Sequence, residues 1–500
     1  MFQGEIEIIG KRIISLKPKE GNLTILINGQ KINFGKAYAY PGFTDSHVHL
    51  LHGGEFLSMP DLKNAKSEQE CAELVLQKPF HRGNWIIARG WNQENWSKRT
   101  FPTKKTLDKI FPNTPICLIR NDGHSLWLNS KALEICKINQ NTPEPKGGKI
   151  VKDLNGEPTG ILIDEAIELV RPILPPYSKE QCINFLQAST IYLAQHGITT
   201  IHDMDVDPKN LDIYQEYFNN DNPRLNTYVF ISGKKLPNEV LNVRHYNNYF
   251  LKVIGLKHYM DGALGSYGAL LFEPYKDNPN SSGLQLLSEE ELLEIFDLAS
   301  ESNLGLSIHA IGDKATHIIL KTYEHFIQNA GKLPKFLRIE HCQVVRPDDL
   351  PKFNKLGIAA SIQPIHLPSD FEMAKKRLDN RQVVAYPWKS FQKNNVLICS
   401  GSDFPIETPD PIAGLYSFVN RNLIDTEKIF GSEEIDIQEA LSTYTINPWL
   451  SIKEKPINLE SGFNANLTIL SGDLSKFPKE HLSEIKVLAS ISQGNIIYQS

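Results

Sequence analysis

Histidines 47 and 49 stand one residue apart in Phe43-Thr-Asp-Ser-His47-Val-His49, a run entered from Tyr38-Ala-Tyr-Pro-Gly42. Side chains of a β-strand alternate between its faces, so both imidazoles project to one side and can reach a single divalent ion. Neutral imidazole is a common ligand for zinc and similar metals, although paired histidines also occur on solvated strands and in satisfied cores. Downstream residues decide between these uses. Lys257 lies in Val253-Ile-Gly-Leu-Lys-His-Tyr259, His309 ends Gly305-Leu-Ser-Ile-His309, His341 ends Leu337-Arg-Ile-Glu-His341, and Asp403 ends Val396-Leu-Ile-Cys-Ser-Gly-Ser-Asp403. Nitrogen and oxygen donors converging from several strand ends suit zinc or a similar ion with an open water position. A lysine ammonium cannot bind a cation, so Lys257 is a ligand only as a carbamate and is otherwise a buried or substrate-pairing charge. Asp403 can ligate a metal and also accept the proton of bound water, as a general base must; the other use of Gly-Ser-Asp after a strand is a helix N-cap.

The elements that would position these residues alternate regularly. Further strand-like runs are Gly197-Ile-Thr-Thr-Ile-His-Asp203, Asn226-Thr-Tyr-Val-Phe-Ile231 and Gly357-Ile-Ala-Ala-Ser-Ile-Gln363, giving eight with the His47/His49 strand placed first. Between them lie amphipathic helical patterns such as Ser288-Glu-Glu-Glu-Leu-Leu-Glu-Ile-Phe and Lys314-Ala-Thr-His-Ile-Ile-Leu-Lys-Thr-Tyr. Strand and helix in alternation predict a parallel sheet, and eight units predict a closed (β/α)8 TIM barrel of the α/β class, with catalytic groups at the C-terminal ends of its strands. The barrel is assigned to residues 41–60 and 176–449. Residues 1–40 and 450–500 are β-rich in the same style, as in Leu23-Thr-Ile-Leu-Ile-Asn and Asn466-Leu-Thr-Ile-Leu, and are expected to pair as one small composite β-sandwich. Residues 61–175 are too long for a βα connection and are expected to form an inserted lid or substrate domain.

Composition narrows the class. A net charge of -5 offers no attraction to nucleic acid or an anionic membrane surface. No run of 18 apolar residues and no signal-like N-terminus is visible, so a cytoplasmic protein acting on a small molecule is expected, with a homodimer as its possible assembly. Six cysteines without any Cys-x-x-Cys spacing argue against a zinc ribbon or disulfide scaffold and read as reduced, structural thiols.

Together these motifs resemble the metal-dependent amidohydrolase superfamily, and within it Amidohydrolase family 3, the YtcJ-like branch that includes N-substituted formamide deformylase. Pro41-Gly-Phe-Thr-Asp-Ser-His-Val-His-Leu50 is similar to the family's first-strand metal motif, which implies His47 and His49 as ligands. Lys257-His-Tyr-Met-Asp261-Gly-Ala-Leu-Gly-Ser266 resembles the segment whose carboxylated lysine bridges two metals, and Asp261 is carried over with it as a substrate contact. Ser307-Ile-His309, Ile339-Glu-His341 and Gly401-Ser-Asp403-Phe-Pro resemble the fifth-, sixth- and eighth-strand motifs, implying His309, His341 and Asp403 as further ligands and Asp403 and His341 as catalytic. Arg120-Asn-Asp122-Gly-His124 is similar to a segment leaning over the site, so Asp122 and His124 are expected to touch substrate; the alternative is an Asn-Asp-Gly turn with a satisfied histidine. Trp85, Trp91, Trp96 and Trp127 in the insert read as core or as a substrate-lining lid.

The resemblance implies hydrolysis of a non-peptide C–N bond, an N-acyl or N-formyl amine, at one or two divalent ions, most simply zinc. Metal-activated water attacks the carbonyl, Asp403 takes its proton and returns it to the departing nitrogen, and His341 or a second ion stabilises the oxyanion. Cyclic-amide, deaminase or ester hydrolysis on the same site is the alternative chemistry, and a metal-free binding scaffold is the alternative class. One departure concerns substrate: after Gly265-Ser266 the family continues with arginine and threonine, whereas here Tyr267-Gly268 follow. A guanidinium is thus missing from the expected mouth.

Overall fold

Runs apolar on both faces form the centre of this computed structural model, which describes residues 1–220, 225–233, 246–378, 383–425 and 429–500. The chain divides into two units, Met1–Gly53 with Ser189–Ser500 and, separately, Gly54–Ala188.

In the first unit eight strands lie in sequence order: Phe43–Val48, Ile198–Val206, Asn226–Ser232, Leu251–Tyr259, Gly305–Ala310, Leu337–His341, Ala359–Ile362 and Ile398–Ser400. Every neighbouring pair is parallel. The eighth meets the first where Asp403 N donates to His47 O at 2.7 Å and His49 N donates to Phe404 O at 2.8 Å, so the sheet closes as a barrel. Phe43–Val48 and Gly305–Ala310 are buried at every residue, as strands covered by helices on one side and barrel filling on the other must be. The helix Glu289–Glu301 shows how the outer layer is encoded. Ser288 and Glu291 form a capping box, and Leu292, Ile295, Phe296 and Ala299 supply a buried stripe at helical spacing.

Two strands are shorter than their sequence suggests, for local reasons. Gly357 is not a strand residue but the left-handed C-cap (φ 67°) of the helix Leu350–Leu356, a position glycine takes without a Cβ penalty. The last strand leaves its ladder at Ser400, and Gly401 after it lies so close to the first strand that a Cβ would stand 2.5 Å from His47 N. His49 likewise falls just beyond the first strand.

Both termini join the same unit as two four-stranded sheets, one from Gly4–Ile9, Arg12–Pro18, Leu23–Ile27 and Gln30–Gly35, the other from Tyr38–Pro41, Leu467–Leu470, Val487–Ser492 and Asn495–Gln499. Ile6, Ile8 and Ile25 share one core cluster with Leu467, Ile469 and Ile491, so the sheets form a composite sandwich from both chain ends.

The Gly54–Ala188 unit contains a six-stranded sheet with a core cluster on each face. Trp91, Trp96 and Trp127 pack with ring centroids 6.1–6.4 Å apart in one cluster, and Trp85 lies in the other. All four are buried, which makes them core rather than a substrate lining. No disulfide occurs, and five of the six cysteines are buried. Among the described residues no helix is long and apolar enough to cross a membrane.

Candidate metal centre

Strand ends of the barrel bring His47, His49, His309, His341, Asp403 and Lys257 into one electrostatic neighbourhood. Ligand atoms of His47, His341 and Asp403 all lie within 4.8 Å of one another. Ring centroids are 5.0 Å apart for His47 and His341, 4.4 Å for His309 and His341, and 5.5 Å for His47 and His49. Lys257 is felt as a neighbouring positive charge by all four histidines.

The outer nitrogens of these histidines are already committed, which fixes what the inner ones offer. His47 Nδ1 is 2.7 Å from the Glu340 carboxylate and His49 Nδ1 is 3.0 Å from the Met204 carbonyl; both partners only accept, so each Nδ1 carries a proton and, in the neutral ring, each Nε2 a lone pair. Those lone pairs face Asp403 Oδ1, at 3.5 Å from His47 Nε2 and 3.1 Å from His49 Nε2. Acceptors facing one another at such distances repel unless a proton or a cation lies between them. His341 follows the same pattern, with Nδ1 2.7 Å from Gln363 Oε1. In that tautomer its Nε2 carries a lone pair.

Several polar atoms of the centre make no hydrogen bond to the described protein: Lys257 Nζ, His309 Nε2 and Asp403 Oδ1. Such buried atoms are costly to leave unmatched. A divalent cation among the imidazole Nε2 atoms and Asp403 would match the nitrogen and oxygen donors together, so the donor set fits the ion expected from the sequence. Charge states agree for His309, His341 and Asp403, whereas His49 is raised, its burial being outweighed by the Asp403 carboxylate beside it. Burial pushes His309 down to about 3, with Lys257 adding to the shift, and holds His341 well below the usual range, with His309 and His47 adding to it. Burial pushes Asp403 up, but His47, His49 and His341 outweigh it and keep the carboxylate ionised. Lys257, buried with its Nζ 4.4 Å from the Tyr259 ring centroid, is lowered to about 8 by desolvation against the pull of Glu340 and Asp403.

A buried charge network lies behind these ligands, and motif reading did not find it. Glu340 Oε1 accepts from Ser307 Oγ at 2.7 Å and from Arg338 Nε at 2.9 Å, while its Oε2 holds His47. Arg338 extends the network to His202 Nδ1 at 2.7 Å and Ser46 O at 2.8 Å. Guanidinium only donates, so His202 is the neutral Nε2–H tautomer, consistent with burial and Arg338 lowering it far below the ordinary value. The signal was present in the sequence as Arg338-Ile-Glu340, opposite charges two apart in an apolar strand, which period two places on one face. Asp45 is a second such anchor: its Oδ1 accepts from His47 N at 3.1 Å and Ser402 N at 3.0 Å, tying the first strand to the last.

The other expected contacts are differently placed. Asp261 is fully buried and accepts from the amides of Leu270 at 2.8 Å, Ile311 at 3.0 Å and Gly312 at 2.8 Å. It also lies 3.5 Å from His309 Nε2, so its visible work is to pin the loops around that histidine. Asp122 and His124 belong to the Gly54–Ala188 unit, on an exposed turn where Asp122 pairs with Arg120 and accepts from His124 N, and His124 Nδ1 is 3.0 Å from Asp164.

Known proteins are similar to this chain over most of its length. The sequence profile of the Amidohydrolase family matches residues 32–498. The YtcJ protein of Bacillus subtilis (strain 168) is 30% identical over 491 residues, covering 94% of this chain and 90% of the relative. N-substituted formamide deformylase of Arthrobacter pascens is 25% identical over 489 residues, covering 92% of this chain and 88% of that one. The crystal structure of an uncharacterized metal-dependent hydrolase from Pyrococcus furiosus matches with a TM-score of 0.76 and 26% identity, covering 94% of this chain and all of that one. With a family profile spanning nearly its whole length over this fold and centre, the chain belongs to the Amidohydrolase family.

Proposed function

We propose that the protein is a metal-dependent hydrolase of a non-peptide C–N bond, acting on an N-acyl or N-formyl amine. The observation that carries the reading is the inward-facing set of lone pairs: His47 and His49 have donated their Nδ1 protons elsewhere and present Nε2 to the Asp403 carboxylate at 3.5 and 3.1 Å. His47, His49, His309, His341 and Asp403 would hold a divalent ion, zinc by donor chemistry, with Lys257 bridging a second ion if its Nζ is carboxylated. A bound ion of this kind polarises a carbonyl and lowers the pKa of coordinated water. Asp403 accepts the proton of the attacking water and delivers it to the departing nitrogen. Glu340 keeps the His47 ring oriented, and Gln363 does the same for His341. The substrate class rests on the family and on the relative named for N-substituted formamides.

The test joins metal analysis to a substrate panel. Purified protein is expected to carry a stoichiometric divalent metal, to lose amine release from N-formyl or N-acyl amines on chelation, and to regain it with zinc. Metal-free protein that zinc does not activate on any amide, cyclic amide or ester would leave only the scaffold alternative. Native intact mass reads the carbamate directly: an added CO2 on wild type that is missing from Lys257→Ala supports the bridge, and an unmodified chain refutes it.

Asp122 and His124 enter the same proposal as substrate contacts, supported by their solvent-facing turn. His124→Ala is then expected to raise KM several-fold with kcat little changed, since a lost ground-state contact acts on binding. An unchanged KM would return the pair to a turn.

A further inference from the structure

The barrel unit holds a cavity of about 680 Å³ at the opposite end of its strands from the metal centre. Asn226, the first residue of the third strand, lines it, whereas that strand ends at Ser232, beside Lys257. Six residue steps at ~3.3 Å separate the two ends by roughly 20 Å. The volume is that of a small-molecule site.

Its walls are selective in charge and shape. Three cations, Arg12, Lys252 and Lys455, line it with one carboxylate, Glu454. Glu454 is shared, with Lys252 and Lys335 each 3.5 Å away, so it cannot neutralise the other two. Lys455 Nζ lies 4.8 Å from the Phe463 ring and Arg12 donates to the Gly462 carbonyl, and neither has a carboxylate partner among the described residues. Aromatic faces come from Tyr228, Tyr249, Trp449 and Phe463. Two lining side chains carry buried donors that the described protein leaves unpaired: Asn466 Nδ2, in a residue 2% exposed, and Trp449 Nε1, in a residue 7% exposed. Asn466 is held rigidly, because its Oδ1 accepts from Gln493 N at 2.8 Å and from Asn226 Nδ2 at 3.3 Å. Native interiors rarely leave such donors without an acceptor.

We propose that this cavity is a second binding site for a small planar anion, an aromatic ring bearing a phosphate or carboxylate. The cations and unpaired donors take the acidic group, and the aromatic walls take the ring. Neither half of the ligand is sufficient alone: a bare anion leaves the rings unfilled, and a neutral ring leaves the charges unmatched.

Calorimetry on the metal-replete full chain tests this with adenosine 5′-monophosphate and 1-naphthoate as planar anions, and adenosine, naphthalene-methanol and inorganic phosphate as their halves. At least one planar anion is expected to bind in the range of ~10–500 μM, with its halves about tenfold weaker or worse. Arg12→Glu with Lys455→Glu, both surface changes, should weaken that binding at least tenfold, as should Lys455→Gln to a lesser degree. Asp403→Asn should leave it unchanged. Binding of neither anion, equal binding of phosphate alone, or binding lost in Asp403→Asn and kept in the charge-reversal pair would each overturn the proposal, the last by placing the ligand in the metal centre.

Discussion

Asp403 and Glu340 divide the chemistry between a reacting carboxylate and a supporting one, and substitution separates them. Asp403→Asn keeps shape and an oxygen ligand but removes the proton acceptor, so kcat on the best amide substrate is expected to fall by ~10²–10⁴; a loss under tenfold with metal retained would remove the base assignment. Glu340→Gln acts from behind. It leaves Arg338, fully buried, short of its carboxylate and takes the charge partner from His47. Breaking a buried ion pair from one side costs about 3–5 kcal/mol, and losing a ligand's hydrogen-bond partner costs roughly 10–100-fold in metal affinity. Denaturant unfolding and metal titration read the two effects. At this scale the inner ring was legible in the sequence because histidine, lysine and aspartate at strand ends have few other uses together. The supporting ring was not, because Glu340, Arg338 and Gln363 are ordinary polar residues until the fold brings them within 2.7–2.9 Å of their partners.

Strand parity accounts for His47, Lys257 and His309, which lie within their strands, and fails for His341 and Asp403. In Leu337–His341, Arg338 and Glu340 share the inner face, so simple alternation sends His341 outward. The backbone corrects it: His341 adopts φ 72° and Cys342 φ 47°, and the reversed turn brings the imidazole to the centre. Asp403, at φ 59°, is re-aimed in the same way after the last strand has ended. Left-handed backbone at non-glycine residues costs of order 1–3 kcal/mol each and persists where surrounding structure imposes it. No periodicity argument can read such positions from sequence, although eight strand-like runs sufficed to read the barrel. Gly401 makes the second of these turns possible, since a Cβ there would meet His47 N at 2.5 Å and Asp45 Oδ1 at 2.7 Å. Gly401→Ala is therefore expected to destabilise the fold by about 1–3 kcal/mol and to lower metal occupancy, by pushing the first and last strands apart. Unchanged thermal unfolding with unchanged metal content would show that the seam tolerates the methyl.

The whole first unit is tied from end to end. Its sandwich pairs Tyr38–Pro41 with Leu467–Leu470, and its barrel closes only when Asp403 and Phe404 meet His47 and His49. The sequence made the β-rich termini visible, and their similar style suggested the pairing. It could not show that both closures fall on the same short stretch, residues 38–49, because register across more than 350 intervening residues is a property of the assembled unit. That seam has a temporal consequence. During synthesis the first two histidines emerge more than 350 residues before the Asp403 oxygen that faces them. A finished cage would therefore require Asp403 to have joined the two histidines, and a chain that stops short of it would lack that oxygen ligand. A chain truncated before Ile398 is expected to retain helical and sheet signal in circular dichroism but to bind zinc at least tenfold more weakly than the full protein. Full-strength zinc binding by that fragment would mean that the early strands build the cage alone.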